Sequence, residues 1–132
     1  MVMKIKEIEY SISNKAINYE DSVEIMENRV EHISSKIKSE LLWFLEHPAI
    51  YTAGTSSNEK DLLKKNTFPV FKTSRGGEYT YHGPGQRIIY IMLNLRERSY
   101  DIRRFVNTLE SWIVDSLSDL GVESRLIKGK VG

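Results

Sequence analysis

The chain has 132 residues, 40% of them apolar and 28% charged, the make-up of one ordinary globular domain able to bury a core without staples or metals. Nineteen Lys and Arg against 18 Asp and Glu leave a formal net charge of +1, which excludes a broad basic field for nucleic acid or an anionic membrane. There is no cysteine, so disulfides, thiolate metal sites and a cysteine nucleophile are excluded together.

In chain order, Ile5, Ile8, Tyr10 and Ile12 alternate with polar residues over Lys4 to Ile12, the pattern of a half-exposed strand near a sheet edge. The same stretch has no long apolar run, so neither a signal peptide nor a membrane span fits, and the expected compartment is the cytoplasm. Val23, Met26, Val30, Ile33 and Ile37 recur at steps of three and four between Asp21 and Glu40, which predicts a helix with one apolar stripe. Leu41 to Leu45 is a short apolar run closed by His47-Pro48, which reads as a buried strand, with Ile50 to Ala53 a candidate continuation past the proline break. Asn58 to Lys65 suits one or two helical turns.

Phe68 to Lys72 and Ile88 to Leu95 read as strands flanking a glycine-rich turn, the second central in the sheet. Asp101 then opens a long helix whose apolar face includes Ile102, Phe105, Leu109, Trp112, Ile113 and Leu117, with Gly121 as its stop. Val122 to Ile127 is expected to return to the sheet. Strand, helix, several strands, helix and strand together predict long helices packed on one sheet, with no repeat and no linker.

Four of the eight glycines, Gly76, Gly77, Gly83 and Gly85, fall within Arg75-Gly-Gly-Glu-Tyr-Thr-Tyr-His-Gly-Pro-Gly-Gln86. Bare backbone there permits unusual φ angles and close approach of a ligand. Among the glycines stand a forked cation, Arg75, two flat walls, Tyr79 and Tyr81, and a group that titrates near neutrality, His82. From the residues alone two readings stand, a binding loop or a decorated hairpin turn. The spacing is not that of a phosphate loop, and His32, His47 and His82 show no H-E-x-x-H or paired spacing for zinc. No G-x-S-x-G elbow accompanies Ser74. His47-Pro-Ala-Ile-Tyr-Thr-Ala-Gly54 forms a second constellation, in which His47 also reads as a strand-end cap and Tyr51 as a core-edge residue. His32 reads as a solvated helix residue, and Lys128 and Lys130 receive no role.

Arg75 to Gln86 resembles the signature of the lipoyl(octanoyl) transferase family, R-G-G-x-x-T-[YFW]-H-G-P-G-Q, complete here. The order His47-Pro-x-x-Tyr51-Thr52-x-Gly54, that loop, Leu93-Asn94-Leu95 and a long helix is similar to the family's N-terminal part over nearly the whole chain. Related lipoate ligases carry V-Y-H-D in a different glycine-rich loop, and biotin ligases are more distant. The resemblance implies an α+β fold, a mixed and mainly antiparallel sheet with long helices packed on it, as in the biotin/lipoate ligase catalytic domain, with residues 1–132 a single, C-terminally truncated domain.

It further implies transfer of an octanoyl group from acyl carrier protein to a lysine of lipoyl domains, those of 2-oxoacid dehydrogenase complexes and of the glycine cleavage H protein, through a thioester on cysteine. No cofactor, metal, nucleic acid or membrane is implied. Arg75, Gly76, Gly77, Glu78, Tyr79, Thr80, Tyr81 and His82 would bind substrate, with the tyrosines and the neighbouring apolar strand lining a fatty tunnel. The family's cysteine and lysine follow an A-I-G-like segment in its C-terminal part, which these residues do not contain, so no catalytic residue is assigned and inactivity of the lone chain is expected. The alternative is a non-catalytic module that binds the acyl group or its carrier protein.

Overall fold

In the computed structural model, which describes residues 8–99 and 101–130, a run of five apolar residues forms the spine of the first of two compact units that divide at Leu93–Asn94. The elements of the first unit are β1 (Glu9–Ile12), α1 (Tyr19–Ser34), β2 (Leu41–Leu45), β3 (Ile50–Ala53), β4 (Val70–Lys72), β5 (Tyr79–His82) and β6 (Ile88–Met92); the second contains α2 (Ile102–Asp119). The class is α+β.

Among the described residues the strands form two three-stranded sheets, ordered β1-β2-β6 and β4-β3-β5, rather than the single sheet expected. Each central strand has one parallel and one antiparallel neighbour. Pro48 is the divide: β2 and β3 are successive in sequence but belong to different sheets, because Pro48 lacks an N–H and carries a fixed φ that interrupts the ladder. The apolar run that ends at Met92 is therefore not central; β2 holds that place, and Leu95–Arg98 turns into a 3-10 helix capped by Asn94.

Alternate residues of β2, Leu41, Trp43 and Leu45, are buried and join Ile33 and Met92 in one apolar cluster, with Ile17, Met26, Ile88 and Tyr90 packed against it. Trp43 keeps its indole N–H satisfied by donating to Ser13 Oγ at 2.9 Å, as a buried indole requires.

Helix α1 begins two residues before the predicted start, where Asn18 accepts from the Glu20 N–H at 2.9 Å, and ends six residues before the predicted Glu40. Ser35 turns its hydroxyl onto the Glu31 carbonyl, a local bond that competes with helix continuation. Lys36 then takes a left-handed φ of 60°, and Ile37 is left exposed. Residues 36–40 reverse the chain into β2, so the last turn of the apolar stripe is given up to strand entry. Asn58 caps a single 3-10 turn, Glu59–Asp61.

The portion of the predicted first strand before Ile8 lies outside the described residues. In the second unit α2 starts where expected, Asp101 accepting from the Arg104 N–H at 2.7 Å. It stops before Gly121, with the Val122 N–H closing on the Leu117 carbonyl. Val122 to Ile127 forms no strand; the segment is exposed throughout and finds no ladder among the described residues.

Leu45 is fully shielded from solvent. Leu45→Ala is expected to lower the unfolding free energy by about 2–5 kcal/mol through lost burial and a residual cavity, measured as a shift of the urea midpoint at unchanged slope.

Candidate functional site

The glycine-rich stretch is not a hairpin turn but contains a strand. Tyr79–His82 pairs antiparallel with β3, in the register Ala53↔Tyr79, Thr52↔Thr80, Tyr51↔Tyr81 and Ile50↔His82. Period-two alternation therefore sends its side chains to opposite faces. Tyr79 and Tyr81 lie on one face with Tyr51 and, from β4, Val70 and Lys72. The rings of Tyr51, Tyr81 and Phe68 form a triangle with centroids 5.5 to 6.0 Å apart. Tyr79 joins Leu62, Lys65, Phe68, Val70 and Lys72 in an open groove of about 690 Å³. The tyrosines thus share a face with β4, while the apolar strand β6 expected beside them belongs to the other sheet.

Thr80 and His82 take the opposite face, and here the segment is clasped. The Arg75 side chain folds back so that Nη2 lies 2.7 Å from Thr52 Oγ1, 2.9 Å from Thr80 Oγ1, 3.2 Å from the Glu78 carbonyl and 3.3 Å from the Thr52 carbonyl. Nη1 donates to the Gly76 carbonyl at 2.9 Å. The two threonine hydroxyls, 2.6 Å apart, bond each other and both accept from the guanidinium. The main chain adds a second set of ties: the N–H groups of Gly54, Thr55 and Ser56 donate to the carbonyls of Glu78, Arg75 and Gly77.

This closeness explains two glycines. A Cβ on Gly54 would stand 2.3 Å from the Gly77 carbonyl oxygen, and Gly77 has a φ of +96°, a region costly for L side chains. Beside Gly76, by contrast, a Cβ would meet nothing within 4 Å, so the backbone is open there.

The first sheet reaches the same face through Glu46 and His47, just beyond β2. Glu46 accepts from the Gly85 N–H at 2.9 Å. His47 is fully buried; its Nδ1 is 2.7 Å from the Ile17 carbonyl oxygen and its Nε2 is 2.7 Å from the Tyr90 hydroxyl. Around it stand Tyr19 and His82, both near edge-on, at centroid distances of 5.5 and 6.0 Å.

Burial pushes the Tyr90 phenol up to about 12 and raises Tyr19 as well, the latter opposed by the Arg75 charge. His82 is held below its ordinary value, first by burial and then by His47 and Arg75. Tyr90 therefore stays a neutral hydroxyl near pH 7.

Of the eight residues singled out from sequence, Tyr79 to His82 pair with β3, and Arg75 to Glu78 form the turn before them, tied to Gly54, Thr55 and Ser56, with Glu78 exposed. Arg75 is directed into the segment's own acceptors. His32 is half-buried with a shielded Nδ1 that has no partner among the described residues, not a solvated helix residue. Sequence reasoning named Thr52 only within the His47–Gly54 motif, without a role, and missed Tyr19 and Tyr90. A lone hydroxyl inside the Ile88–Met92 run was the available signal for Tyr90, since a buried phenol needs a partner.

Gly54→Ala is expected to lower stability by about 1–3 kcal/mol, because backbone faces the added methyl, read by chemical denaturation. The depressed His82 also sets a pH dependence. The unfolded chain takes up its proton near 6.5 while the folded one resists, so stability falls as pH drops through that value. Melts between pH 7.5 and 5 are expected to show a larger loss for the wild type than for His82→Asn.

Compared with known proteins, residues 18–130 match the Lipoyl protein ligase A/B catalytic domain family. A protein named Octanoyltransferase from Bartonella bacilliformis is 47% identical over 125 residues, covering 95% of this chain and 52% of the relative. Another of that name from Brucella melitensis is 48% identical, covering 95% of this chain and 47% of the relative. The chain spans about half the length of the curated relatives it matches. With the match running from α1 to beyond α2, the chain belongs to the Lipoyl protein ligase A/B catalytic domain family.

Proposed function

We propose that these residues are the acyl-binding part of an octanoyltransferase that moves an octanoyl group from acyl carrier protein to a lysine of lipoyl domains, in 2-oxoacid dehydrogenase complexes and the glycine cleavage H protein. The observation that carries this reading is the clasped Arg75–His82 segment, held in shape by its own Arg75 and open beside Gly76, in a chain nearly half identical to proteins named Octanoyltransferase. A preformed segment of main chain binds with little ordering cost, and alignment of thioester and amine supplies much of the rate in acyl transfer.

The transfer itself needs a nucleophile to hold the acyl group. A thioester intermediate forms on a cysteine, and these 132 residues have none. Acyl binding and acyl transfer therefore separate: the segment recognises the octanoyl carrier, and the thiol comes from polypeptide outside this sequence. Acyl carrier protein and lipoyl domains as substrates support a cytoplasmic site of action; no helix among the described residues is long and apolar enough to cross a membrane.

The test incubates the chain with octanoyl acyl carrier protein. Saturable binding is expected, weakened at least tenfold by Gly77→Val, which strains a residue at φ +96°, and no acylated lipoyl domain is expected from the chain alone. Binding that ignores Gly77→Val would remove the segment from the account, and turnover by the chain alone would remove the need for an external thiol.

A further inference from the structure

His47 and His82 pack edge-on, and the two bonds that His47 makes and the partner that His82 Nδ1 lacks set where each ring carries its proton. The Ile17 carbonyl only accepts, so His47 Nδ1 carries a proton. In the neutral ring Nε2 then accepts, and the Tyr90 hydroxyl 2.7 Å away donates to it. Two bonds thus lock a fully buried ring. The Ile17 N–H is itself bonded to the Glu46 carbonyl at 2.8 Å, so the anchor is rigid.

His82 packs edge-on to that ring at 86°. Its Nδ1 is buried and has no partner among the described residues. A proton on Nδ1 would be an orphaned buried donor, which proteins avoid more strictly than an orphaned lone pair. Nε2 is not among the buried unpartnered atoms, so the proton resides there, on the side of a half-buried ring that keeps access to solvent.

We propose that His82 donates from Nε2 to the carbonyl oxygen of an acyl thioester, and that His47 is the positioning residue that holds the His82 ring edge-on for this contact. The proposal rests on the acyl-binding reading above and adds to it which ligand atom is recognised and through which residues. Tyr90 enters as the donor that keeps His47 from turning.

The test measures dissociation constants of the full chain for S-octanoyl pantetheine and for its S-octyl thioether, which keeps the alkyl chain and sulfur but lacks the carbonyl. The wild type is expected to bind the thioester about tenfold more tightly, the worth of one hydrogen bond in a partly shielded site. His82→Phe is expected to bind both at the thioether's affinity, and His82→Gln, which keeps a donor near the Nε2 position, to retain part of the preference. Tyr90→Phe, which preserves the core ring, is expected to shrink the preference without weakening thioether binding. Nitrogen-15 spectra of the imidazoles are expected to place the proton of His47 on Nδ1 and that of His82 on Nε2. Equal binding of the two ligands by the wild type, an undiminished preference in Tyr90→Phe, or a His82 proton on Nδ1 would each overturn the proposal and leave acyl binding standing. A wild type that binds neither ligand overturns both.

Discussion

The guanidinium of Arg75 is the interaction on which the site depends. One cation bonds the hydroxyls of Thr52 and Thr80 and the carbonyls of Thr52, Gly76 and Glu78, and so joins both strands of the β3–β5 ladder to the glycine turn that precedes it. Threonine hydroxyls on a sheet face would otherwise be satisfied by water; Thr52 is almost fully buried, and its desolvation is offset by a charge-assisted bond. Removing the cation would leave the two hydroxyls with only their mutual bond and the Glu78 carbonyl with only the Gly54 N–H, and would take a donor from the carbonyls of Thr52 and Gly76, a larger loss than one surface ion pair.

From that clasp follows the separation of faces. Because the turn is held flat against β3, β5 begins in register with Ala53, and its four residues divide into an aromatic pair and a polar pair. The aromatic pair borders the open groove with Phe68 and Val70. The polar pair meets Arg75 and His47, and through His47 reaches Ile17 and Tyr90 of the first sheet's surroundings. Glu46 holding Gly85 completes the frame. The His-Pro constellation, weak when read alone, is thus the bracket that connects the end of β2 to the signature segment.

Much of this was legible in the residues, and the exceptions have physical causes. The three-four spacing of Val23 to Ile33 and of Phe105 to Leu117 marked both long helices, since burial of one stripe is what makes such segments helical. The caps at Asp101 and Gly121 bounded the second. β5 was hidden because four glycines around it lower strand propensity, whereas its pairing depends on a distant partner, β3, that no local pattern announces. The assignment of β2 and β3 to separate sheets was likewise non-local; Pro48 signals a break but not a change of sheet. The motif marked a segment that the structure folds into one clasped unit, yet the pairing of Thr52 with Thr80 and the role of Arg75 as an internal tie could be read only from register.

Amide hydrogen exchange in the wild type and in Arg75→Gln tests the clasp most directly. The account predicts slow exchange at Gly54, Thr55 and Ser56 in the wild type. It predicts exchange faster by an order of magnitude or more in the variant, with the amides of Leu41 to Leu45 unchanged. Equal protection of those three amides in both proteins would contradict it, since the segment would then hold its shape without the guanidinium.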